Sequence, residues 1–144
     1  MRLNFGCGKD IKRGWVNVDI QKGEGIDKSF DFNKFPYPFK DNTFDYILVD
    51  NVLEHLDDPR KVVEELWRIS KPDAIIEVKV PYYHSAGAYN DIGHKHFFNK
   101  RTLEILFCPE RSYAVTYQRK FKIIELKLLP SKRTIDVDDF SLVG

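Results

Sequence analysis

Two glycines and an acid near the start of the chain have types and a spacing that could hold a ligand. Gly6 and Gly8 flank Cys7 directly after the first apolar run, and Asp19 ends the next apolar run. Glycine lets the backbone turn sharply and lets a ligand approach it closely. A carboxylate at the end of the second run could accept hydrogen bonds from both hydroxyls of a ribose. The pattern therefore indicates a ligand that contains an adenosyl group.

The residues after the glycines exclude two common nucleotide sites. A dinucleotide fingerprint needs a third glycine three residues after the second, and Lys9, Asp10 and Ile11 stand there instead. The chain also has no Gly-Lys-Ser/Thr sequence, so a P-loop for nucleoside triphosphates is excluded. An adenosyl ligand without a pyrophosphate remains, and S-adenosylmethionine is such a ligand.

A second group of reactive side chains lies in the stretch PYYHSAGAYNDIGHKHFFNK, residues 81–100. This stretch holds three of the chain's four histidines, His84, His94 and His96, and these are the candidates for a catalytic base. Asp91, His94 and His96 could also form a metal site of two histidines and one carboxylate. One loop with a single residue between its histidines is a weak signal for such a site, so exposed pocket histidines are favoured and no metal is expected.

Four apolar runs predict the strands that would position these residues. They are Leu3–Cys7, Trp15–Ile20, Phe44–Asn51 and Ala74–Pro81. A helix is predicted between the last two, because Asp58 suits the N-cap, Pro59 suits the first helical position, and apolar residues follow at helical spacing. Glu54 and His55, just before this helix, could serve catalysis, but organisation of the local backbone and packing is the favoured interpretation.

Strands that alternate with helices predict an α/β fold, in which ligands bind beyond the carboxyl ends of the strands. We expect a Rossmann-like, doubly wound, mostly parallel sheet. Only residues 8–15 join the first two strands, too few for a helical crossover, so the first crossover helix is shortened or lost. A further helix is predicted after Asn99, and the alternation in residues 112–129 predicts an antiparallel C-terminal strand pair or one long bent strand. The polar residues 130–144 would form a loose tail.

The composition limits the class of protein. The 144 residues fit a single domain, 1–144, and a formal net charge of +1 gives no global field for a nucleic-acid partner. No stretch reaches the roughly 18 apolar residues of a membrane helix, so no membrane partner is expected. The N-terminus has no apolar signal-peptide region, and Cys7 and Cys108 indicate no disulfide framework. These features favour a reducing cytoplasm.

The segments LNFGCGK, GWVNVDI and FPYPFKDNTFDYILVDNVLEHLDDP together resemble the class I S-adenosylmethionine-dependent methyltransferases, specifically the small methyltransferase-11-like group. The resemblance covers about residues 3–107 and implies S-adenosylmethionine as the cofactor. It implies that Gly6, Cys7 and Gly8 form a glycine motif under the methionine and ribose, and that Asp19 binds the ribose hydroxyls with Ile20 beside the adenine. It also implies that Asp31 and Phe32 form an acid and apolar pair at the adenine edge, and that Asp50 and Asn51 lie at the methionine end. Asn4 stands where many relatives have an acid, so a weaker attraction for the cofactor's ammonium group is expected.

The resemblance also implies transfer of a methyl group to an unidentified oxygen or nitrogen acceptor, held by the loop of residues 82–98. The chain opens at its first strand, so the acceptor pocket is expected to be open or completed by another subunit, and a homodimer is reasonable. The alternative is a catalytically inactive protein of the same fold that binds or scaffolds a partner chain. The amide at Asn4 and the loss of the first helix motivate this alternative.

Overall fold

The computed structural model describes residues 1–108, 121–130 and 140–143, and its centre is a parallel sheet. Its five strands are β1 (Arg2–Phe5), β2 (Val16–Asp19), β3 (Lys28–Ser29), β4 (Phe44–Asp50) and β5 (Ser70–Pro81). They lie in the spatial order β3-β2-β1-β4-β5, and every pairing among them is parallel. The direction of winding reverses between β1 and β4, as in Rossmann-like folds, so the carboxyl ends of these two strands mark the expected ligand position.

The helices begin where the sequence predicts. Helix α1 (Pro59–Ile69) has Asp58 as its N-cap, and the Asp58 side chain accepts a hydrogen bond from the Arg60 N–H. Helix α3 (Lys100–Phe107) starts with a reciprocal capping box between Asn99 and Thr102. Between them lie a 3-10 turn at Leu53–His55 and the short helix α2 (Ala86–Tyr89). Both of the longer predicted helices are therefore confirmed.

The first crossover contains no helix, as its length predicts, and the side chain of Asn17 organises the loop instead. Its Oδ1 accepts hydrogen bonds from the Lys12 N–H at 2.9 Å and from Asn4 Nδ2 at 3.0 Å. Its Nδ2 donates to the carbonyl oxygens of Lys12 and Trp15. One buried amide thus satisfies the backbone groups that a helix would otherwise pair internally.

The core lies on one face of the sheet. Leu3 and Phe5 of β1 are in register with Ile47 and Val49 of β4, so their side chains share this face. Residues of α1, of α3 and of the aromatic segment 30–44 belong to the same buried cluster. In that segment Phe32 stacks on Phe5 with ring centroids 4.0 Å apart. The segment therefore fills space on the core face that a crossover helix between β3 and β4 would occupy.

The prediction of an antiparallel C-terminal strand pair within residues 112–129 is wrong. The sheet from β1 to β5 is entirely parallel, and residues 121–126 form no strand; residues 112–120 lie outside the described part. The Phe121 N–H instead donates to the carbonyl oxygen of Phe107 at 3.0 Å, which ties this segment to the end of α3. The antiparallel pairing that does occur joins β7 (Phe140–Val143), within the stretch predicted to be a loose tail, to β5 and to β6 (Lys127–Pro130). An alternating pattern does not specify its pairing partner, and the error follows from that.

Candidate cofactor and acceptor site

The glycine turn lies where the winding of the sheet reverses. Gly6 has a φ of +74°, and the N–H groups of Gly6 and Cys7 both donate to the carbonyl oxygen of Val18, at 3.0 and 2.9 Å. A Cβ atom added to Gly6 would lie 2.3 Å from Val52 Cγ2. Gly8 has a φ of +50°, and a Cβ atom there would meet no heavy atom within 4 Å. Gly6 is thus required by packing, whereas Gly8 faces open space.

Asp19 is joined directly to this turn. Its Oδ2 accepts a hydrogen bond from the Gly8 N–H at 2.8 Å, and its Oδ1 accepts one from the Gln21 N–H at 3.0 Å. A carboxylate offers about four lone-pair positions, so roughly two remain for a ligand. The neighbouring Ile20 side chain is 56% exposed, which is high for an aliphatic residue beside an acid. The pair presents hydrogen-bond acceptors next to an apolar surface, as a ribose followed by an adenine requires.

Asp31 and Phe32 have different environments. Asp31 is half-buried, and its Oδ1 accepts a hydrogen bond from the Asn33 N–H at 2.9 Å in a local turn. The Phe32 ring is 3% exposed and packs in the core. A ligand at this position would therefore meet the carboxylate of Asp31 and the backbone of the pair rather than the Phe32 ring.

Asp50 and Asn51 end β4, next to β1. Asn51 has a φ of +53°, its N–H donates to the carbonyl oxygen of Lys79 at 2.9 Å, and its Nδ2 donates to Asp50 Oδ1 at 2.8 Å. The Asp50 carboxylate also lies 3.6 Å from Lys79 Nζ. Because Phe5 is in register with Val49, this bend is adjacent to the Gly6 turn.

Asn4 and Cys7 are buried behind the turn. The Asn4 Nδ2 donates to the carbonyl oxygen of Asp10 at 2.7 Å and to Asn17 Oδ1, so this amide holds the crossover loop. Burial raises the pKa of the Cys7 thiol, and the negative charge of Asp19 raises it further. The thiol is therefore neutral near pH 7 and unsuited to act as a nucleophile.

The three candidate histidines of the 82–98 loop are separated. His94 Nδ1 lies 2.9 Å from the carbonyl oxygen of Ala88, and His96 Nε2 lies 3.2 Å from the carbonyl oxygen of Asp57. His84 is exposed, with its ring 5.8 Å from that of Tyr83. The grouping of Asp91, His94 and His96 considered from the sequence is not the one that the structure forms, because His96 points to the segment before α1.

The structure groups His94 with Glu54 and His55 instead. Each of these residues offers one ligand atom, and the three atoms lie within 4.8 Å of one another. The rings of His55 and His94 meet edge to face with centroids 4.6 Å apart. Glu54 is 1% exposed, neither of its carboxylate oxygens has a hydrogen-bond partner, and burial raises its pKa to about 7. The sequence interpretation of Glu54 and His55 as merely local missed this cluster. The available signal was that both segments follow neighbouring parallel strands.

The parallel sheet, whose winding reverses between β1 and β4, defines a Rossmann-like α/β fold. A family model described as a methyltransferase domain matches residues 7–78, half of the chain. The chain belongs to this methyltransferase domain family. The family's cofactor is S-adenosylmethionine, which confirms the cofactor expected from the sequence.

Similar proteins differ in what they methylate. Norajmaline N-methyltransferase of Rauvolfia serpentina is 32% identical over 62 residues, which are 41% of this chain and 21% of that protein. Demethylmenaquinone methyltransferase of Anoxybacillus flavithermus is 33% identical over 70 residues, which are 49% of this chain and 26% of that protein. The matched segments thus span about a quarter of the curated relatives' length.

A solved structure extends the likeness over nearly the whole chain. It is the complex between the Haloferax volcanii Trm112 methyltransferase activator and a candidate methyltransferase. The match is 17% identical with a TM-score of 0.59, and it covers 99% of this chain and 80% of that chain. At this identity the likeness concerns the fold alone.

The residues present fit S-adenosylmethionine. Open space in front of Gly8 gives the ligand room against the backbone, and the free lone pairs of Asp19 suit the ribose hydroxyls. The Asp50 carboxylate ends β4 next to the Gly6 turn, 3.6 Å from Lys79 Nζ. At 11 residues, α1 is the longest helix in the described ranges, too short to cross a membrane.

Proposed function

We propose that this chain transfers a methyl group from S-adenosylmethionine to an oxygen or nitrogen acceptor. The observation that carries the proposal is the pairing of Gly8 with Asp19: the Gly8 N–H donates at 2.8 Å to a carboxylate that keeps free lone pairs, and a Cβ atom at Gly8 would meet only open space. This pair stands beyond the carboxyl ends of β1 and β2, where ligands of such sheets bind.

Each residue has a defined task in this proposal. Asp19 holds the ribose hydroxyls, Ile20 covers one face of the adenine, and Asp31 accepts a hydrogen bond from the adenine amino group. Asp50 and Asn51 meet the methionine end. The bound cofactor supplies an activated methyl group on a sulfonium, so the chain's main contribution is to align the acceptor lone pair with it.

The acceptor binds against the 82–98 loop in this proposal. His84, His94 and His96 are the residues that could take a proton from it. The side chain of His94 is only 8% exposed, whereas His84 is exposed. If His84 or His96 acts as the base, its alanine variant should lower methyl transfer more than cofactor affinity. Transfer at the wild-type rate in both variants would leave neither residue with that role.

Calorimetric titration with S-adenosylmethionine and S-adenosylhomocysteine tests the cofactor site. We expect micromolar binding by the wild type and a loss of more than tenfold, about 1.4 kcal/mol, in Asp19→Ala. Asp19→Asn keeps an oxygen that can accept from the Gly8 N–H, so it separates loss of the ribose contact from disturbance of the turn. Asp10→Asn is the matched control, because that exposed acid lies in the same crossover and pairs with Lys12. Equal affinity in Asp19→Asn, Asp19→Ala and wild type would refute the assignment.

The second candidate is a protein that keeps the fold and acts with a partner chain without catalysing transfer itself. The observation that favours it is Asn4, whose Nδ2 donates to the Asp10 carbonyl oxygen and to Asn17 Oδ1 where many relatives carry an acid. The structural neighbour solved with an activator shows one kind of partner that a methyltransferase fold can take. Cofactor binding with no transfer to any acceptor of a broad panel, by the chain alone, would favour this candidate.

Assembly and compartment complete the proposal. We infer a single-domain, cytoplasmic protein, supported by two free cysteines, Cys7 and Cys108, that are both buried. A homodimer would complete an open acceptor pocket. Sedimentation with and without the cofactor distinguishes monomer from dimer, and a monomer under both conditions would exclude a pocket shared between two copies.

A further inference from the structure

We propose that Glu54, His55 and His94 bind one divalent transition-metal ion, with zinc preferred. The three ligand atoms lie within 4.8 Å of one another, and the residues come from two segments that follow the neighbouring strands β4 and β5. The proposal does not depend on methyl transfer, and cofactor binding is measured separately.

The backbone holds the two segments together before any ion binds. The carbonyl oxygen of Glu54 accepts hydrogen bonds from the N–H groups of Lys95 and His96, at 2.6 and 3.3 Å. The Lys95 side chain also pairs with Asp57, on the other side of the 3-10 turn. The turn that carries Glu54 and His55 is therefore fixed to the loop that carries His94, and the site is preorganised.

The Glu54 carboxylate gives an independent indication of a metal ligand. Its side chain is 1% exposed, and both oxygens are buried without any hydrogen-bond partner. Buried carboxylates in native proteins are paired, hydrogen-bonded or coordinated to a metal, so one without a protein partner is a candidate metal ligand. His55 Nε2 lies 3.9 Å from Glu54 Oε1. This distance is too long for a hydrogen bond, but a metal ion between the two atoms would satisfy both.

The donor set matches zinc chemistry. Two histidines and one glutamate are a set found in zinc sites that keep an open coordination position. Ligand atoms on a tetrahedral zinc ion stand about 3.4 Å apart, given metal–ligand distances of roughly 2.1 Å. Since the ligand atoms lie within 4.8 Å of one another, the largest separation has to close by about 1.4 Å at most to reach this geometry. The imidazole of His55, whose side chain is 39% exposed, has room to make that adjustment.

His94 is oriented as a metal ligand requires. Its Nδ1 lies 2.9 Å from the carbonyl oxygen of Ala88, which can only accept, so Nδ1 carries the proton and Nε2 keeps a lone pair. The second ring N–H of a histidine ligand commonly donates a hydrogen bond to a carbonyl oxygen in this way. Asp91 Oδ2 is 3.7 Å from His94 Nε2, so the carboxylate of Asp91 is a candidate for the fourth ligand.

Titration of metal-stripped protein tests the site. We expect one zinc ion per chain with micromolar or tighter affinity by calorimetry, and a tetrahedral absorption spectrum when cobalt replaces zinc. Glu54→Gln and His94→Ala should each weaken zinc binding by at least tenfold. Glu54→Gln preserves the side-chain shape, so it should remain folded; circular dichroism and S-adenosylhomocysteine binding check this for each variant.

His96→Ala is the matched control, because His96 lies in the same loop but its Nε2 faces the carbonyl oxygen of Asp57. Its zinc affinity should equal that of the wild type. No zinc binding at about a hundredfold excess over a micromolar Kd, or equal losses in His96→Ala and His94→Ala, would overturn the proposal. A failure of cofactor binding with zinc binding intact would count against the proposed function alone.

Discussion

Gly6→Ala should lose more stability than Gly8→Ala, whereas Gly8→Ala should lose more ligand affinity than Gly6→Ala. Both glycines have positive φ, so alanine at either position should lose about 1–2 kcal/mol of stability. At Gly6 the new methyl group would also lie 2.3 Å from Val52 Cγ2, whereas at Gly8 it would meet no atom within 4 Å. Val52 is buried, so its methyl group cannot swing freely into solvent. Overpacking of this kind adds about 1–3 kcal/mol.

We therefore expect Gly6→Ala to lower the free energy of unfolding by about 3 kcal/mol and Gly8→Ala by about 1 kcal/mol. In a domain of this size, 1 kcal/mol shifts the Tm by about 2–4 °C, so the expected shifts are roughly 10 °C and 3 °C. Urea unfolding followed by tryptophan fluorescence, without cofactor, measures the free energy of unfolding of both variants. Equal destabilisation by the two substitutions would refute the assignment of packing to Gly6 and open space to Gly8.

The affinity for S-adenosylhomocysteine should show the reverse order. The Gly8→Ala methyl group would occupy space assigned to the ligand, so a loss of at least tenfold is expected although the protein stays folded. A Val52→Ala background tests the steric part, because it removes the methyl group that meets Gly6→Ala. The double mutant should recover about 1–3 kcal/mol relative to additivity, and strictly additive effects would show that Val52 is not the cause.

Three further predictions concern the elements that hold the site. Glu65→Ala should lower the free energy of unfolding in urea by about 2 kcal/mol, because its loss leaves the buried Tyr37 N–H without its acceptor, although Arg68 keeps Asp41 at 2.8 Å. An effect as small as that of Lys61→Ala would contradict this. Asp58→Ala should lose about 1 kcal/mol through the missing N-cap of α1, with most of it restored in Asp58→Asn. Burial and the hydrogen bond to Glu77 raise the pKa of Tyr46 to about 12, so the contribution of Tyr46 to stability should be complete below pH 10 and fall as the pH rises through 12. Tyr46→Phe should therefore flatten the alkaline decline in the free energy of unfolding, measured in urea at a series of pH values. An unchanged slope would show that Tyr46 does not cause the decline.

The elements predicted correctly from the sequence depend on local signals. The four main strands are apolar runs, and α1 and α3 begin at Asp58 and Asn99 because an N-cap acts within three residues of itself. The absence of the first crossover helix could also be predicted, because it follows from the number of residues between two strands. The strand β3 has only two residues, Lys28 and Ser29, and carries no periodic pattern from which to predict it.

The features that sequence reasoning missed depend on contacts between distant segments. The antiparallel pairing of β5 with β7 joins residues about 60 positions apart, and an alternating pattern contains no information about such a partner. Glu54 and His94 are 40 positions apart, so their proximity follows only from the adjacency of β4 and β5. The positions of Gly6, Asp19 and Asp50, by contrast, follow from where their strands end.

The face of the sheet opposite the core explains how the fold does without its first helix. Arg2 lies over the Trp15 ring at 5.6 Å, Trp15 meets Tyr46 edge to face, and Tyr46 donates to Glu77, so these side chains form a continuous polar and aromatic band across the strands. A parallel sheet covered by helices on both faces would carry apolar residues at such positions. The alternation of Arg2 and Asn4 with Leu3 and Phe5 instead makes β1 apolar on one side only. A crossover helix would find few apolar partners on this face. The short loop and the polar face therefore belong together, because a face with few apolar residues needs no helix to cover it. The absence of that helix leaves the edge of the sheet at Gly8 and Asp19 open to a ligand.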